Sequence, residues 1–298
     1  MFLVNQLPDS GDFSNGQGAG VKWDILSLAG RHDIPEKISL ANTLHLKPYS
    51  IACLCAIGRL AKIQDKHIDI TMPDNSGCAD HLNRLGLPLF FDSKDSEYHA
   101  TRNTNLPTRV VSWPPGNEAA EIVNLLSPIQ NLAPGLFPQF ESHIDEIITN
   151  ALTHANSPID CVIAGQQYQG TKKIEICILD LGQTIRGHLS KNPKFANCCT
   201  TDHEAIIKAT EDMVTGTCDS QPNARGQLNS GAGLAELRSY CESGGGELTV
   251  LSGNHWVTFS ANSEPVVAQI YGGFAGCLVN VRFFTDFSLN FDAEDAIL

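Results

Sequence analysis

The helical repeat between Phe140 and Ala155 constrains the fold more than any other part of the sequence. Its apolar residues recur at intervals of three and four: Ile144, Ile147, Ile148, Ala151 and Leu152. This spacing places them on one face of a helix, and that face must be buried. Glu146, Asn150 and His154 step by four along the same helix, on the side away from the isoleucines. The segment therefore predicts a core helix with a polar stripe.

The length and the net charge of the chain limit the number of domains and the kinds of partner that it can have. The 298 residues are typical of two domains, and we expect two hydrophobic cores. The net charge of -13 disfavours nucleic acid and anionic membranes as partners. No stretch approaches the roughly 20 apolar residues of a membrane span, and the first six residues lack the basic region of a signal peptide. We therefore expect a cytoplasmic protein with neither a membrane nor a nucleic acid partner.

The ten cysteines do not follow a metal-binding pattern. Most lie in apolar or helical contexts, and Cys198 and Cys199 are too close together for the usual half of a tetrahedral zinc site. We expect reduced thiols in the core or at the surface of a cytosolic protein.

Segments rich in glycine, proline and polar residues, which favour turns and loops, divide the chain into four parts. Residues 1–20 are expected to be flexible, 21–92 to form a small α/β domain, 93–116 to connect, and 117–298 to form the second domain. The expected elements of the first domain are strands at Trp23–Leu28, Lys37–Ala41 and His67–Met72 and helices at Pro48–Ile63 and Gly77–Leu85. In the connection we expect one strand at most, Arg109–Trp113. The expected strands of the second domain are Ile159–Ala164, Lys173–Asp180, Glu247–Leu251, His255–Ala261 and Cys277–Phe284.

Two further segments carry candidate binding groups. Asp180 ends a strand and is followed closely by Gly182. A carboxylate there can accept a hydrogen bond from an exocyclic amine such as that of adenine, and the glycine lets a flat ring approach the backbone. Gly231 and Gly233 precede a helix, whose amino-terminal N–H groups suit phosphate. A Rossmann fingerprint is excluded because the preceding segment is a polar loop, and a P-loop because the chain has no Gly-Lys pair.

The order of these motifs along residues 117–285 resembles the GHKL family of ATP-binding domains, which have the Bergerat fold. The resemblance implies that Asn150 holds Mg²⁺ and that Glu146 is the catalytic base. Asp180 would bind adenine, with Gly182 beneath the ring and Ile185 in the same motif. The remaining nucleotide contacts that the family implies come from Gly231, Gly233 and Leu234 of the lid.

The chain departs from that family at several points. Thr184 stands where many members have glycine, which predicts a tighter adenine pocket, and the lid is long, about 186–230. Arg225 is interpreted as a γ-phosphate contact or as a solvated loop charge. His154 either lies beside the phosphates or caps the helix. Histidine autophosphorylation is not expected, because His143 lies only three residues before Glu146.

The first domain resembles the STAS and anti-sigma-antagonist fold, a small module that docks on protein partners. The turn that carries a phosphorylated hydroxyl in that family reads Lys47-Pro48-Tyr49-Ser50 here. Its acidic residue is missing, so we expect contact and not phosphorylation to regulate this module. Ser50 remains open either as an acceptor or as an ordinary helix-start serine.

The expected fold is thus α/β with two domains: a STAS-like module followed by a Bergerat-fold sandwich with a mixed, mainly antiparallel sheet. The expected function is binding of ATP with Mg²⁺, coupled to slow hydrolysis or to phosphoryl transfer to a protein hydroxyl. The alternatives are a nucleotide-sensing module with little turnover and a serine protein kinase of the anti-sigma type. A protein partner is expected at residues 21–92, and a homodimer is compatible with the sequence.

Overall fold

The computed structural model describes residues 2–3, 34–91, 105–126, 137–168, 172–216, 231–243 and 246–284. It shows a mixed α/β protein with one small parallel sheet and one larger antiparallel sheet. The strand expected at Trp23–Leu28 and the candidate Arg225 lie outside the described residues. No helix in the described ranges combines the length and apolarity needed to cross a bilayer.

The small sheet contains three parallel strands in the order β1-β2-β3. Their bounds are Phe2–Leu3 for β1, Lys37–Ser39 for β2 and Asp69–Thr71 for β3. Helix α1, Pro48–Ile63, connects β2 to β3 and has its proline in the first turn, where the missing N–H costs nothing. Helix α2, Ser76–Arg84, follows, and the Asn75 side chain caps it by accepting a hydrogen bond from the Cys78 N–H at 2.9 Å. A 3₁₀ turn at Leu87–Phe90 ends this part.

Within the part of the chain that the structure describes, the larger sheet has five strands in the order β4-β5-β6-β8-β7. Their bounds are Asn105–Val111, Cys161–Tyr168, Lys173–Asp180, Glu247–Ser260 and Val266–Phe284, for β4 to β8 in chain order. All of its described pairs are antiparallel, and the parallel pairs are confined to the small sheet. The mainly antiparallel character expected of the second sheet is thus confirmed, and none of its described pairs is parallel. Strand β4 lies within the range that the sequence assigned to the connection.

Five helices of the described residues accompany this sheet. They are α3, Glu118–Leu125; α4, Phe137–Thr153; α5, Ile185–Leu189; α6, Asp202–Ala209; and α7, Gly233–Ser243. Helix α4 is the helix predicted from the apolar repeat, and its Ile144 and Ile148 are fully buried. Together with α3 and α7 it covers one face of the sheet.

Helix α1 covers the opposite face. Thirteen of its sixteen residues are buried, because it packs on β5 and β6 as well as on the first part of the chain. A helix that is apolar all round has to be enclosed in this way. Each of the two main cores therefore lies on one face of the large sheet, and the first is shared between the two parts of the chain. The number of main cores agrees with the two expected from the chain length.

The last two strands are longer than the sequence predicts. Glu247–Leu251 and His255–Ala261 were expected as separate strands, but β7 runs through both, with an irregular register at Gly253. Gly253 has a φ of +64°, and a Cβ atom there would lie 2.2 Å from the Asp202 carboxylate. Strand β8 starts at Val266 and not at Cys277. The bend at a glycine replaces the turn that the sequence suggested.

Candidate functional site

A cleft opens between α4, the end of β6, the neighbouring interior residues of β8, and the segment 185–216. Its void is about 830 Å³, including space open to solvent. Eight of the predicted site residues line it: Glu146, Asn150, His154, Asp180, Ile185, Gly231, Gly233 and Leu234. These residues come from three separate stretches of sequence, and the fold brings them together around one space.

Asp180 is the buried carboxylate of the cleft, with 4% of its surface exposed. Its position at the end of β6 places its Oδ1 2.9 Å from the Gly182 N–H, which donates a hydrogen bond to it. Burial raises the pKa of Asp180 to about 7, although the backbone N–H groups of Gly182 and Cys277 oppose the rise. The group can therefore exchange a proton near neutral pH, and its ionised form is a strong acceptor for a ligand amine.

Gly182 has a structural role, while its predicted place beneath an adenine ring stays a prediction. A Cβ atom at this position would lie 2.1 Å from the backbone oxygen of Ala155, just after α4. The next N–H, that of Gln183, donates to the same oxygen at 2.6 Å. The glycine thus joins the end of β6 closely to the end of α4, and Gly182 itself is not among the residues that line the cleft.

Glu146 faces the start of α7. A Cβ atom on Gly233 would lie 3.3 Å from the Glu146 Cδ, so the glycine lets the helix start close to this carboxylate. Gly231, with a φ of +67°, turns the backbone into the helix against Val214. The first N–H groups of a helix have no partners within it and carry partial positive charge. This end of the cleft therefore suits an anionic group.

The polar stripe of α4 does not lie wholly opposite the apolar face. Glu146 and Asn150 are within the helix, and His154 follows its last residue. Ile147 and Ala151 line the same cleft beside them. Successive helix positions differ by 100°, so neighbours of the stripe necessarily flank it. The cleft consequently has an apolar wall as well as polar groups.

Two histidines meet at the cleft. The rings of His154 and His188 lie 5.5 Å apart between centroids. Burial lowers the pKa of His154, and burial together with the charge of His154 lowers the pKa of His188 to about 4. Both rings are therefore neutral at pH 7 and able to accept as well as donate hydrogen bonds. No sequence motif marks His188, so it was not predicted as a site residue.

Thr184 has a local structural role. Its side chain caps α5 by accepting a hydrogen bond from the Gly187 N–H at 3.1 Å. The next N–H, of Ile185, donates to the Ser252 Oγ at 2.9 Å, and the Ser252 hydroxyl donates to the Gly276 oxygen at 2.7 Å. Thr184 thus starts α5, and the Ile185 backbone attaches this wall of the cleft to β7 and β8.

Other lining residues were missed as well. Gln183 contributes an amide to the cleft, and its Nε2 is buried and makes no hydrogen bond within the described part of the chain. Thr215 and Gly216 line the opposite side. The only sequence signal for Gln183 is its place between Gly182 and Thr184, and the other two lie in a stretch without a motif.

The sequence has no significant match to a protein-family model or to a curated protein. Function is therefore inferred from the residues and geometry of the cleft.

Proposed function

We propose that the cleft binds ATP with Mg²⁺ and that the chain is a GHKL-type ATP-binding protein. One observation carries the proposal. A single cleft is lined by a buried carboxylate, by a Glu and an Asn one helical turn apart, and by the glycine-rich start of a helix. Their order along the chain, Glu146 and Asn150, then Asp180, then Gly231 and Gly233, is the order that the resemblance implies.

Asp180 would bind the base. In its ionised form it accepts a hydrogen bond from the exocyclic amine of adenine, while the Gly182 N–H holds one carboxylate oxygen in place. A carboxylate acceptor distinguishes an amine from the carbonyl oxygen of guanine or hypoxanthine, which repels it. The N–H groups at the start of α7 would bind phosphate oxygens.

The residues present fit Mg²⁺ only when a nucleotide contributes ligands. The described residues contain no group of three His, Cys, Asp or Glu side chains that could hold a metal ion. Mg²⁺ is commonly bound by one or two protein oxygens together with waters and substrate phosphates. Asn150 would supply the protein oxygen, and the ion would neutralise phosphate charge when bound.

Glu146 would act as the general base. Its carboxylate lies against the start of α7, where the phosphates would bind. It would take a proton from a water molecule whose oxygen attacks the γ-phosphorus, while the bond to the ADP oxygen breaks and ADP carries away that electron pair. If a protein hydroxyl replaces the water, the same step is phosphoryl transfer.

A nucleotide-sensing module with little turnover is the second candidate. The observation that favours it is the packing of α1 on β6, the strand that ends in Asp180. Nucleotide binding at Asp180 would then act through β6 on the first part of the chain. The proposed partner surface at residues 21–92 would have to use the outside of this part, because α1 itself is buried.

The assignment of Asp180 as the residue that binds adenine is tested by replacing Asp180. Asp180→Asn substitutes a weaker acceptor that also presents donors to the amine, so ATP affinity should fall about 10- to 100-fold, the worth of one hydrogen bond to a charged group. Isothermal titration calorimetry measures the loss. Asp160→Asn is the matched control, because Asp160 lies outside the cleft and pairs with Ser112 and Arg59. Equal affinity in Asp180→Asn and the parent would overturn the assignment.

Turnover is tested separately. Glu146→Gln should keep ATP binding and lose about 10²- to 10⁴-fold in hydrolysis, because the amide cannot take the proton. Phosphate release with γ-labelled ATP gives the rate, and labelled protein reveals transfer to a hydroxyl. Glu141→Gln, an exposed position on the same helix, is the control. If Glu146→Gln and the parent release phosphate at the same slow rate, the sensing function is favoured.

A further inference from the structure

Two adjacent cysteines lie together in the segment that forms a wall of the cleft. The Sγ atoms of Cys198 and Cys199 are 3.2 Å apart. Cys198 is the exposed cysteine among those that the structure describes, and Cys199 is partly exposed. Cysteines of the large sheet such as Cys161 and Cys177 are fully buried. Since thiol chemistry requires access, an external reagent can react with this pair.

The pair is connected to the wall by packing. Cys199 contacts a small hydrophobic cluster formed by Leu189, Phe195, Ala205, Ala209 and Val214. Leu189, Ala209 and Val214 also line the cleft. Two residues after Cys199, Thr201 caps α6 in a reciprocal capping box with Glu204. A change at the cysteines therefore reaches both the cap of α6 and the side chains that face the cleft.

We infer that Cys198 and Cys199 form a redox-sensitive dithiol, which closes to a vicinal disulfide by exchange with a small-molecule disulfide and thereby loosens this wall of the cleft. The Cys198 thiolate attacks one sulfur of the small disulfide, and the other sulfur leaves as a thiolate. The Cys199 thiolate then attacks the Cys198 sulfur and expels the second small thiolate. The two protons lost by the cysteines are taken up by the two leaving thiolates, so the protein is oxidised and the reagent reduced.

The electrostatic surroundings assign the order of attack. Burial and the hydrogen bond with Cys198 raise the pKa of Cys199 to about 12, and the Lys208 ammonium opposes the rise. Cys199 is thus a poor first nucleophile, whereas the exposed Cys198 meets the reagent. In the second step the attack is intramolecular across a short distance, which compensates for a small thiolate fraction.

Ring closure must move the backbone. A disulfide bond is about 2.05 Å long, so the two sulfurs approach by about 1 Å, and the eight-membered ring includes the peptide bond between them. Cys199 has to shift relative to its hydrophobic cluster, and Thr200 and Thr201 shift with it. We therefore expect the first turn of α6 to open more often in the oxidised chain.

The thiol chemistry is tested on the full chain with oxidised glutathione. Trypsin cuts after Lys194 and Lys208 and releases residues 195–208, in which Cys198 and Cys199 are the only cysteines. After oxidation this peptide should be lighter by about 2 Da and should take no alkylating label. Cys198→Ser should abolish the mass change, and Cys78→Ser, in the first part of the chain, should keep it. Full double alkylation after treatment would overturn the inference.

The structural consequence is measured by hydrogen exchange. Amides of α6 should exchange about tenfold faster in the oxidised than in the reduced chain and should recover after reduction. Cys199→Ser should show no difference between the two conditions. Unchanged exchange in a chain whose disulfide has been confirmed by mass would overturn the loosening of the wall.

The effect of the disulfide on ATP affinity rests on the proposed function, and a separate experiment measures it. ATP affinity should be lower in the oxidised chain than in the reduced chain. If ATP binds neither form, the proposed function fails, while the mass and exchange results still decide on the dithiol. If ATP binds both forms equally, the link between the dithiol and the cleft is wrong.

Discussion

The two faces of the large sheet are both covered by apolar helices, and within the described residues the cleft lies on one of these faces. On the first face α1 is enclosed by the sheet and by the first part of the chain, and even its Tyr49 and Ser50 are buried. On the other face α4 buries Ile144 and Ile148 but leaves Glu146 and Asn150 partly exposed. A helix that is enclosed all round supplies stability, whereas one covered on a single face can also present polar groups to a ligand.

The strands show the same division. In β6, Cys177 and Leu179 belong to the core beneath α1, and Ile176 and Ile178 belong to the core beneath α4. Alternation along an extended strand sends neighbours to opposite faces. Asp180, the last residue of β6, continues this alternation onto the α4 side, where it lines the cleft. A polar residue is tolerated there because the strand ends and the Gly182 backbone satisfies the carboxylate.

The largest effect that we expect comes from the enclosed face. Leu54→Ala, at a fully buried position of α1, should lower the free energy of unfolding by about 2 to 5 kcal/mol through lost burial and the cavity left behind. ATP affinity at a temperature where the variant stays folded should change less than about threefold, because α1 does not line the cleft. Chemical denaturation and calorimetry measure the two quantities.

The control for this variant is Leu44→Ala, since Leu44 is 60% exposed and its truncation should leave stability nearly unchanged. A large loss of ATP affinity in folded Leu54→Ala would remove the distinction between a structural face and a binding face. It would instead indicate that α1 and the cleft form one coupled unit.

Much of this arrangement follows from local sequence patterns. Helix α4 is predictable because its apolar spacing fits one helical face, and Asp180 because it terminates an alternating strand. The partner of α1 is not predictable in this way, because an apolar helix shows that it is buried but not against what. His188 and Gln183 reach the cleft through the path of 181–216, which no periodic pattern specifies. The sequence suggests a turn around Gly253, between two expected strands, but Gly253 lies within one bent strand.

An intermediate effect concerns the binding face alone. Because burial raises the pKa of Asp180 to about 7, protonation should remove the acceptor as the pH falls. If only the ionised form binds adenine, ATP affinity should be about tenfold weaker at pH 6 than at pH 8. ATP phosphates titrate in the same range, so Asp180→Asn, which cannot titrate there, supplies the reference slope. The same pH dependence in both proteins would exclude Asp180 as its source.

The smallest effect that we expect connects the two faces. Helix α1 packs on β6, so ATP bound at Asp180 should slow hydrogen exchange in α1 by a few fold. Because linkage is reciprocal, the chain with α1 opened must bind ATP more weakly by the same factor. The chain with α1 opened is rare, so the overall ATP affinity of Leu54→Ala can still be almost unchanged. Mass spectrometry of Pro48–Ile63 peptides with and without ATP measures the change.

Ser50 is 2% exposed, so we also expect no phosphate on it after incubation with ATP. Identical exchange in both states, or stoichiometric phosphate on Ser50, would show that the first part of the chain does not respond to nucleotide through contact.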